Sequence, residues 1–149
     1  MVKTKEVLQE LQLIGRAIEK VMRMTGYKEY GDMSYLETDE KNANDLFLSH
    51  EMEKMIEKLA DGQSHINYLF RPIIEIGCLH QNSGGRYETE SGYEYTCGYG
   101  IEYLKPPEDE YEPTRWCRSR VEHNGERYYI VGDKKTTLDG LTVRIRGKI

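Results

Sequence analysis

The chain of 149 residues is long enough for one compact domain or for two small domains that fold together. Its hydrophobic content of 38% and charged content of 32% are typical of a globular protein rather than a disordered or membrane protein. No apolar run approaches the roughly 20 residues that cross a bilayer, and the N-terminus lacks the apolar region of a signal peptide. We therefore expect a cytoplasmic protein with no membrane partner.

The net charge of −5 argues against bulk binding of nucleic acid, but the charges are unevenly distributed. Residues 86–112 hold eight acidic and two basic residues, whereas residues 113–149 hold nine basic and four acidic residues. Cys78, Cys97 and Cys117 are widely spaced and odd in number, which favours reduced thiols over a disulfide framework. The basic C-terminal third could face a different partner from the acidic stretch, or the two could face each other.

An amphipathic helix is predicted for the first segment. Its apolar stripe has the 4-3-4-3 spacing of one helix face and consists of Val7, Leu11, Ile14, Ile18 and Val21. Gly15 lies inside this helix, where it costs about 1 kcal/mol relative to alanine and makes a close helix crossing plausible. Gly26 should end the helix, because glycine readily adopts the left-handed cap conformation, and residues 26–37 should form a loop.

A second helix is predicted to begin near Thr38 or Asp39, either of which can serve as an N-cap, and to run to about Ala60 before Gly62 ends it. Its stripe is Leu48, Met52, Met55 and Leu59. Neither helix can bury its stripe alone. The two should therefore form an antiparallel hairpin, or a two-chain bundle that makes the protein a homodimer through its helices.

After Gly62 the apolar period changes from helical to two, which predicts a domain of short strands. The strands are placed at 73–79, 86–90, 93–97, 101–105, 115–131 (a hairpin) and 141–146. The prediction is thus an α+β protein, with a helical hairpin over 1–62 and a small antiparallel β-domain over 63–149. About six strands at this spacing suggest a barrel or bent sheet similar to SH3-like barrels.

Asn124-Gly125 is the preferred sequence of a two-residue type I′ hairpin turn. That turn would place Val121 opposite Tyr128 and Glu122 opposite Arg127. Alternation then puts two groups on opposite faces of the hairpin. One group is Cys117, Ser119, Val121, Tyr128 and Ile130; the other is Trp116, Arg118, Arg120, Glu122, Arg127, Tyr129 and Val131.

The second of these faces is the first candidate binding site. It combines Trp116, Arg118, Arg120 and Tyr129, with Arg144 and Arg146 expected on a neighbouring strand. Guanidinium groups bind phosphates or carboxylates, and aromatic rings stack on bases or fill protein pockets. The alternative is a solvated strand face around a core tryptophan, whose arginines pair with the acidic loop. That loop contains Glu108, Asp109, Glu110 and Glu112.

Other chemistry has weaker support in the sequence. Twelve tyrosines stand against two phenylalanines, which is typical of an interface or of a domain too shallow to bury rings fully. Cys78 and His80 share a strand face, and Cys97 or Cys117 could join them around zinc, but no Cys-x-x-Cys spacing supports this. No histidine has a nucleophile context. We therefore expect no enzyme activity, no cofactor and no metal.

The segment from about Arg71 to Arg146 resembles a family of small domains of unknown function in Gram-positive bacteria, plasmids, conjugative elements and phages. The residues that carry the resemblance are Arg71-Pro72, Gly77-Cys78-Leu79, Gly85-Arg86-Tyr87-Glu88, Gly100-Ile101-Glu102, Trp116, Arg120-Val121-Glu122-His123, Tyr128-Tyr129 and Leu138-Asp139-Gly140-Leu141-Thr142-Val143-Arg144-Ile145-Arg146. The resemblance supplies no catalytic residue. It implies an accessory protein of a phage or mobile element.

Two functions are compatible with that context. The first is a non-enzymatic inhibitor that binds a bacterial defence protein, such as a CRISPR effector, through the β-domain; this anti-CRISPR-like function is an analogy with small, acidic, tyrosine-rich inhibitors. The second is a nucleic-acid-binding accessory module that uses the basic C-terminal strands. An enzyme with an unrecognised site is a weaker third.

Overall fold

The computed structural model describes residues 1–28 and 32–148. Its helices are α1 (Thr4–Thr25) and α2 (Ala43–Phe70), and its strands are β1 (Tyr27–Lys28), β2 (Asp32–Met33), β3 (Ile73–Cys78), β4 (His80–Gln81), β5 (Tyr87–Glu88), β6 (Glu94–Tyr95), β7 (Gly100–Lys105), β8 (Arg115–His123), β9 (Tyr128–Ile130) and β10 (Thr142–Arg146). The chain divides into two units, Met1–Arg71 and Pro72–Ile149. Neither described helix combines the length and apolarity that a membrane span requires. The predicted α+β class is confirmed.

The end of α1 agrees with the sequence prediction. Gly26 follows the helix with φ 66°, the left-handed conformation that a residue with a Cβ adopts only at a cost. The predicted loop after it contains a short ribbon, because β1 and β2 pair antiparallel, with Tyr27 opposite Met33.

The bounds predicted for the second helix are wrong at both ends. The N-cap is Asn42, whose Oδ1 accepts hydrogen bonds from the backbone N–H groups of Asn44 and Asp45 at 3.0 and 3.1 Å. The helix passes through Gly62 and ends at Arg71, whose φ and ψ of −64° and 135° are extended. Pro72 accounts for this end, because its ring disfavours helical backbone in the preceding residue. Residues 63–70, predicted to belong to the β-domain, are therefore helical.

The two helices pack through stripes that differ from the predicted ones. A Cβ on Gly15 would lie 3.0 Å from Gln63 Oε1 and 3.2 Å from Ile66 Cγ2, so the backbone of α1 comes close to α2 here. Ile18 and Ile56 are buried, but most of each predicted stripe is open. The open residues are Val7, Leu11, Ile14 and Val21 on α1 and Leu48, Met52 and Met55 on α2. Gly15 accounts for the change, because the missing side chain lets this side of α1 lie close to α2.

The strands of the β-domain form a five-stranded antiparallel sheet in the order β3-β10-β7-β8-β9 and a separate three-stranded sheet in the order β4-β5-β6. Of the two predicted forms, a barrel or a bent sheet, the barrel is wrong, because among the described residues no pairing joins β3 to β9 and the sheet is open. One side of the sheet carries the core, which includes the fully buried Val121, Ile130 and Val143, together with Leu79 and Ile101.

Both edges of the five-stranded sheet are irregular. In β3, Glu75 pairs with Ile145 and Ile73 pairs with Arg146, which leaves Ile74 as an extra, bulged residue. Farther along β3, Glu90 accepts the Cys78 backbone N–H at 3.4 Å. The opposite edge strand, β9, has only three residues and is followed by a bridge between Ile130 and Asp133.

The β8–β9 hairpin has the predicted faces but a different register. Val121 pairs with Ile130 and Glu122 with Tyr129, two residues away from the predicted partners Tyr128 and Arg127. The Asn124 N–H donates to the Arg127 carbonyl at 3.2 Å, so Gly125 and Glu126 form the tip of the turn. With φ 95°, Gly125 occupies the first central position, where a type II′ turn requires glycine. A shift of two residues leaves each side chain on its predicted face.

The two helical glycines should respond oppositely to substitution. Gly62→Ala should raise the free energy of unfolding by about 1 kcal/mol, since no atom lies within 4 Å of the added Cβ and alanine favours the helix. Gly15→Leu should lower it, because the side chain would overlap Gln63 and Ile66. Urea unfolding followed by circular dichroism at 222 nm checks both, and equal effects of the two changes would contradict the close crossing.

Candidate binding face

The candidate face surrounds a buried carboxylate on the side of the sheet opposite the core. Glu102 of β7 pairs with Arg144 of β10 on one side and with Arg118 of β8 on the other, so these three side chains form a row across neighbouring strands. Glu102 is only 6% exposed. A carboxylate this deeply buried requires compensating charge and hydrogen bonds.

Two arginines supply that compensation. Arg144 Nε donates to Glu102 Oε1 at 2.6 Å. Arg146 binds both carboxylate oxygens, through Nε to Oε2 at 2.7 Å and through Nη2 to Oε1 at 3.1 Å. The side chains of Arg144 and Arg146 are 19% and 11% exposed. These are short, charge-assisted and partly bidentate contacts, which fix the planes of both guanidinium groups.

Trp116 completes the cluster. The guanidinium carbon of Arg144 lies 4.4 Å from the centre of the Trp116 ring, within the range of a cation–π interaction. Trp116 is half-buried and lies opposite Leu104 of β7. We call Glu102, Trp116, Arg118, Arg144 and Arg146 the Glu102 cluster. In this cluster Arg118 is the exposed member.

The other two candidate residues of this face lie beside a second carboxylate. Arg120 Nε donates to Glu122 Oε1 at 3.0 Å, and the Cys97 thiol donates to Glu122 Oε2 at 2.7 Å. The pKa of the Glu122 carboxyl lies below its ordinary value because of the hydrogen bond from Cys97 and, after it, that from Arg120. Tyr129 pairs with Glu122 across the hairpin, and Lys134 Nζ lies 5.1 Å from the centre of its ring.

The acidic loop is organised locally. Glu108 forms an ion pair with Lys105 at 3.3 Å, and Glu112 approaches Arg115 at 4.0 Å. Asp109 Oδ1 accepts the backbone N–H of Tyr111 and that of Glu112, both at 2.9 Å, and Glu110 is exposed. The structure therefore brings Trp116, Arg118, Arg144 and Arg146 together around Glu102, while the described ion pairs of the acidic loop go to Lys105 and Arg115.

Glu102 is the residue that the sequence analysis missed. The apolar pattern places Glu102 in an ordinary strand, where it is a single charge between Ile101 and Tyr103, which both face the core. Two patterns together indicate an ion pair between strands. One is a carboxylate that alternates with core-facing residues, and the other is the Arg144-x-Arg146 spacing on another strand.

The residues considered for zinc have other neighbours. His80 Nε2 lies 3.2 Å from Glu88 Oε1, and Cys78 Sγ lies 3.9 Å from Thr142 Oγ1. Over residues 1–28 and 32–148, no three His, Cys, Asp or Glu side chains are grouped as a metal site would require.

A second polar contact lies on the core side of the sheet. The Tyr103 hydroxyl donates to Asp133 Oδ2 at 2.7 Å, and the Thr136 hydroxyl donates to the same oxygen at 2.8 Å. Burial opposes ionisation of Asp133, but these hydrogen bonds keep its pKa below the ordinary value of 3.8. They also hold the 133–139 segment, which lines two clefts of about 520 and 340 Å³.

Comparison with known proteins finds a match to part of the β-domain. Residues 77–145 match a family model described as a domain of unknown function, DUF5348. This supports the resemblance to an uncharacterised small-domain family. No curated protein matches the chain, and no solved structure does. The matched segment includes Glu102, Trp116, Arg118 and Arg144 and ends one residue before Arg146.

Removing the charge of Glu102 should strongly destabilise the β-domain. Glu102→Gln leaves two nearly buried guanidinium groups without their anion, for which we expect a loss of about 3–5 kcal/mol. The matched control is Glu122→Gln, whose partner Arg120 is exposed and whose loss should stay near 1 kcal/mol or below. Chemical denaturation of both variants measures the difference, and equal losses would show that Glu102 is not the central charge.

The contact between Tyr103 and Asp133 should be visible in the pH dependence of stability. Because the pKa of Asp133 is lowered in the folded state, its contribution is present above the unfolded value and is lost as pH falls through the folded value. Tyr103→Phe should raise that pKa, and Tyr99→Phe should not. Carboxyl NMR titration of Asp133 measures the shift, and an unchanged pKa in Tyr103→Phe would contradict the assignment.

Proposed function

We propose that this protein is a non-enzymatic binding protein that recognises another protein through the Glu102 cluster and the adjoining Arg120 and Tyr129. The observation that carries the proposal is the buried Glu102 carboxylate, which holds Arg144 and Arg146 in fixed orientations. A rigid arginine side chain loses little conformational entropy on binding. Tryptophan, tyrosine and arginine are also the residues most enriched at the energetic centres of protein interfaces.

The same contacts favour a protein partner over nucleic acid. Arg144 and Arg146 already donate to Glu102, and Arg120 Nε donates to Glu122, so part of the charge and hydrogen-bonding capacity of these arginines is already neutralised within the fold. The Trp116 ring is half-buried, and the Arg144 guanidinium stacks on it. A base would have to displace that guanidinium to stack on the same side of the ring.

The class of partner that we propose is a bacterial defence effector, such as a CRISPR effector, which the protein would inhibit by covering a functional surface. The support is the resemblance of residues 71–146 to domains carried by phages, plasmids and conjugative elements of Gram-positive bacteria. Such effectors act in the cytoplasm, so the proposal includes a cytoplasmic location. The exposed carboxylates of the acidic loop offer a second contact, because they could occupy sites that bind phosphates.

The helical unit is proposed to serve as a scaffold in the form of an antiparallel hairpin. Three contacts support this arrangement: Gly15 against Gln63 and Ile66, Gly26 against Tyr35, and the Thr38 hydroxyl donating to Ser49 at 3.2 Å. The first contact joins the middle of α1 to the later part of α2, which supports an antiparallel course. The other two support an end of α1 close to the start of α2, since only two residues lie between Tyr35 and Thr38.

Reversing one exposed charge should separate recognition from stability. Arg118→Glu should abolish capture of the partner in a pull-down against a panel of defence effectors, since Arg118 is the exposed member of the Glu102 cluster. Arg16→Glu, the same charge reversal at an exposed position of α1, should retain capture. If both variants inhibit an effector as well as the wild type does, the Glu102 cluster is not the recognition site.

Nucleic-acid binding is the alternative function, and the exposed Arg118 and Arg120 on β8 are the observation in its favour. Under this alternative the double change of both to glutamate should abolish binding of oligonucleotides, and affinity should fall steeply with salt. Fluorescence anisotropy with single- and double-stranded oligonucleotides tests it. No binding at low salt would exclude this alternative.

A further inference from the structure

The two helices leave an apolar surface that their mutual packing does not use. Ile14 is 51% exposed, and Met55 is 56% exposed. In contrast, the packed stripes include the polar residues Gln12, Ser49, Glu53 and Gln63, all half-buried or buried. The helices thus turn a mixed stripe toward each other and a largely apolar stripe outward, the reverse of what an isolated helical pair in water requires.

The two outward stripes lie on one side of the pair. Each is displaced by one residue toward the N-terminus from its packed stripe, as Ile14 is from Gly15 and Met55 from Ile56. One residue corresponds to a rotation of about 100° around a helix. In the antiparallel hairpin on which this step rests, the helices run in opposite directions, so the same rotation brings both stripes to the same side.

We infer that this surface, formed by Val7, Leu11, Ile14, Val21, Leu48, Met52 and Met55, binds the same surface of a second copy of the chain. We call it the open helical face. A twofold pairing of two hairpins through this face makes a four-helix bundle, and the 4-3 spacing of both stripes suits the packing of such a bundle. Two exposed carboxylates border the face, Glu10 between Val7 and Ile14 and Glu51 between Leu48 and Met55.

The size of the face supports a stable interface. The seven residues are each between 36% and 56% exposed. If a fully exposed residue of this kind presents roughly 200 Å², the face offers about 600 Å² per chain, close to the about 800 Å² that each partner buries in a standard interface. Exposed apolar patches of this size mark interaction sites on soluble proteins.

A second copy of the chain suits this face better than a different protein that is present only under some conditions. Among the described residues of the helical unit, Ile18 and Ile56 are the only buried apolar side chains. So small a core gives a helical pair little stability. A stabilising partner is then needed whenever the chain is folded, and another copy is present wherever the chain is made.

The oligomeric state of the full chain tests this inference independently of the effector experiments. Sedimentation velocity should show a dimer for the wild type, and Ile14→Glu with Met55→Glu should raise its dissociation constant roughly a hundredfold or more. The matched control is Leu13→Glu with Phe47→Glu, which adds the same charges at exposed apolar residues that lie about 100° around each helix from Ile14 and Leu48. This control should remain dimeric.

A second measurement removes the ambiguity of a variant that fails to fold. A mixed sample of isotope-labelled and unlabelled wild-type chains should give intermolecular nuclear Overhauser effects to the methyl groups of Ile14, Met52 and Met55, and none to Leu13. A wild type that stays monomeric at NMR concentration overturns the inference. So does a dimer that the Leu13 and Phe47 changes disrupt and the Ile14 and Met55 changes leave intact.

Discussion

The buried carboxylate of Glu102 is the interaction on which the rest of the β-domain depends. It lies on the central strand of the five-stranded sheet, between β10 and β8, and its charge must be balanced locally because water cannot reach it. Arg144 and Arg146 provide this balance from β10, and Arg144 in turn covers the Trp116 ring on β8. One acidic residue therefore ties together three strands on the face opposite the apolar core.

A consequence is that the basic character of the C-terminal third is largely internal to the fold. Arg144 and Arg146 form ion pairs with Glu102, Arg120 forms one with Glu122, and Arg115 approaches Glu112. A count of charges along the chain overstates the positive potential that a partner would meet. The recognition proposed here relies on shape and on oriented donors more than on net charge, which is why a protein partner is favoured over nucleic acid.

Local signals predicted the fold where backbone chemistry decides the structure. Gly26 ends α1 because it can adopt positive φ, and the β8–β9 hairpin has the predicted faces because alternation survives a shift of two residues. The predicted register differs because Asn124-Gly125 fits two turns. It can form the two central residues of a type I′ turn, or, as observed, Gly125 can be the first central residue of a type II′ turn. Gly62 shows the limit of such signals. A glycine inside a helix need not end it, and here the helix continues to Phe70, with the extended Arg71 before Pro72.

The candidate site was predicted in part, because alternation along a strand shows which side chains share a face. Trp116, Arg118, Arg144 and Arg146 stand out by residue type and spacing, so a face that contains them could be read from alternation. Their organisation around Glu102 depends on strand order, which places β7 between β10 and β8 and is not encoded in any local pattern. The helical stripes were likewise identified correctly as apolar, yet which stripe packs was set by the missing side chain of Gly15.

The bulge at Ile74 has a consequence for how the β-domain can meet other chains. A regular edge strand presents a row of backbone groups to which a foreign strand can add, and this is a common route both to peptide capture and to fibre growth. The extra residue interrupts that row in β3, and the Glu90 carboxylate occupies the Cys78 amide farther along. The β3 edge is therefore poorly suited to templated addition of a strand, and a partner that meets this edge is expected to engage it through side chains.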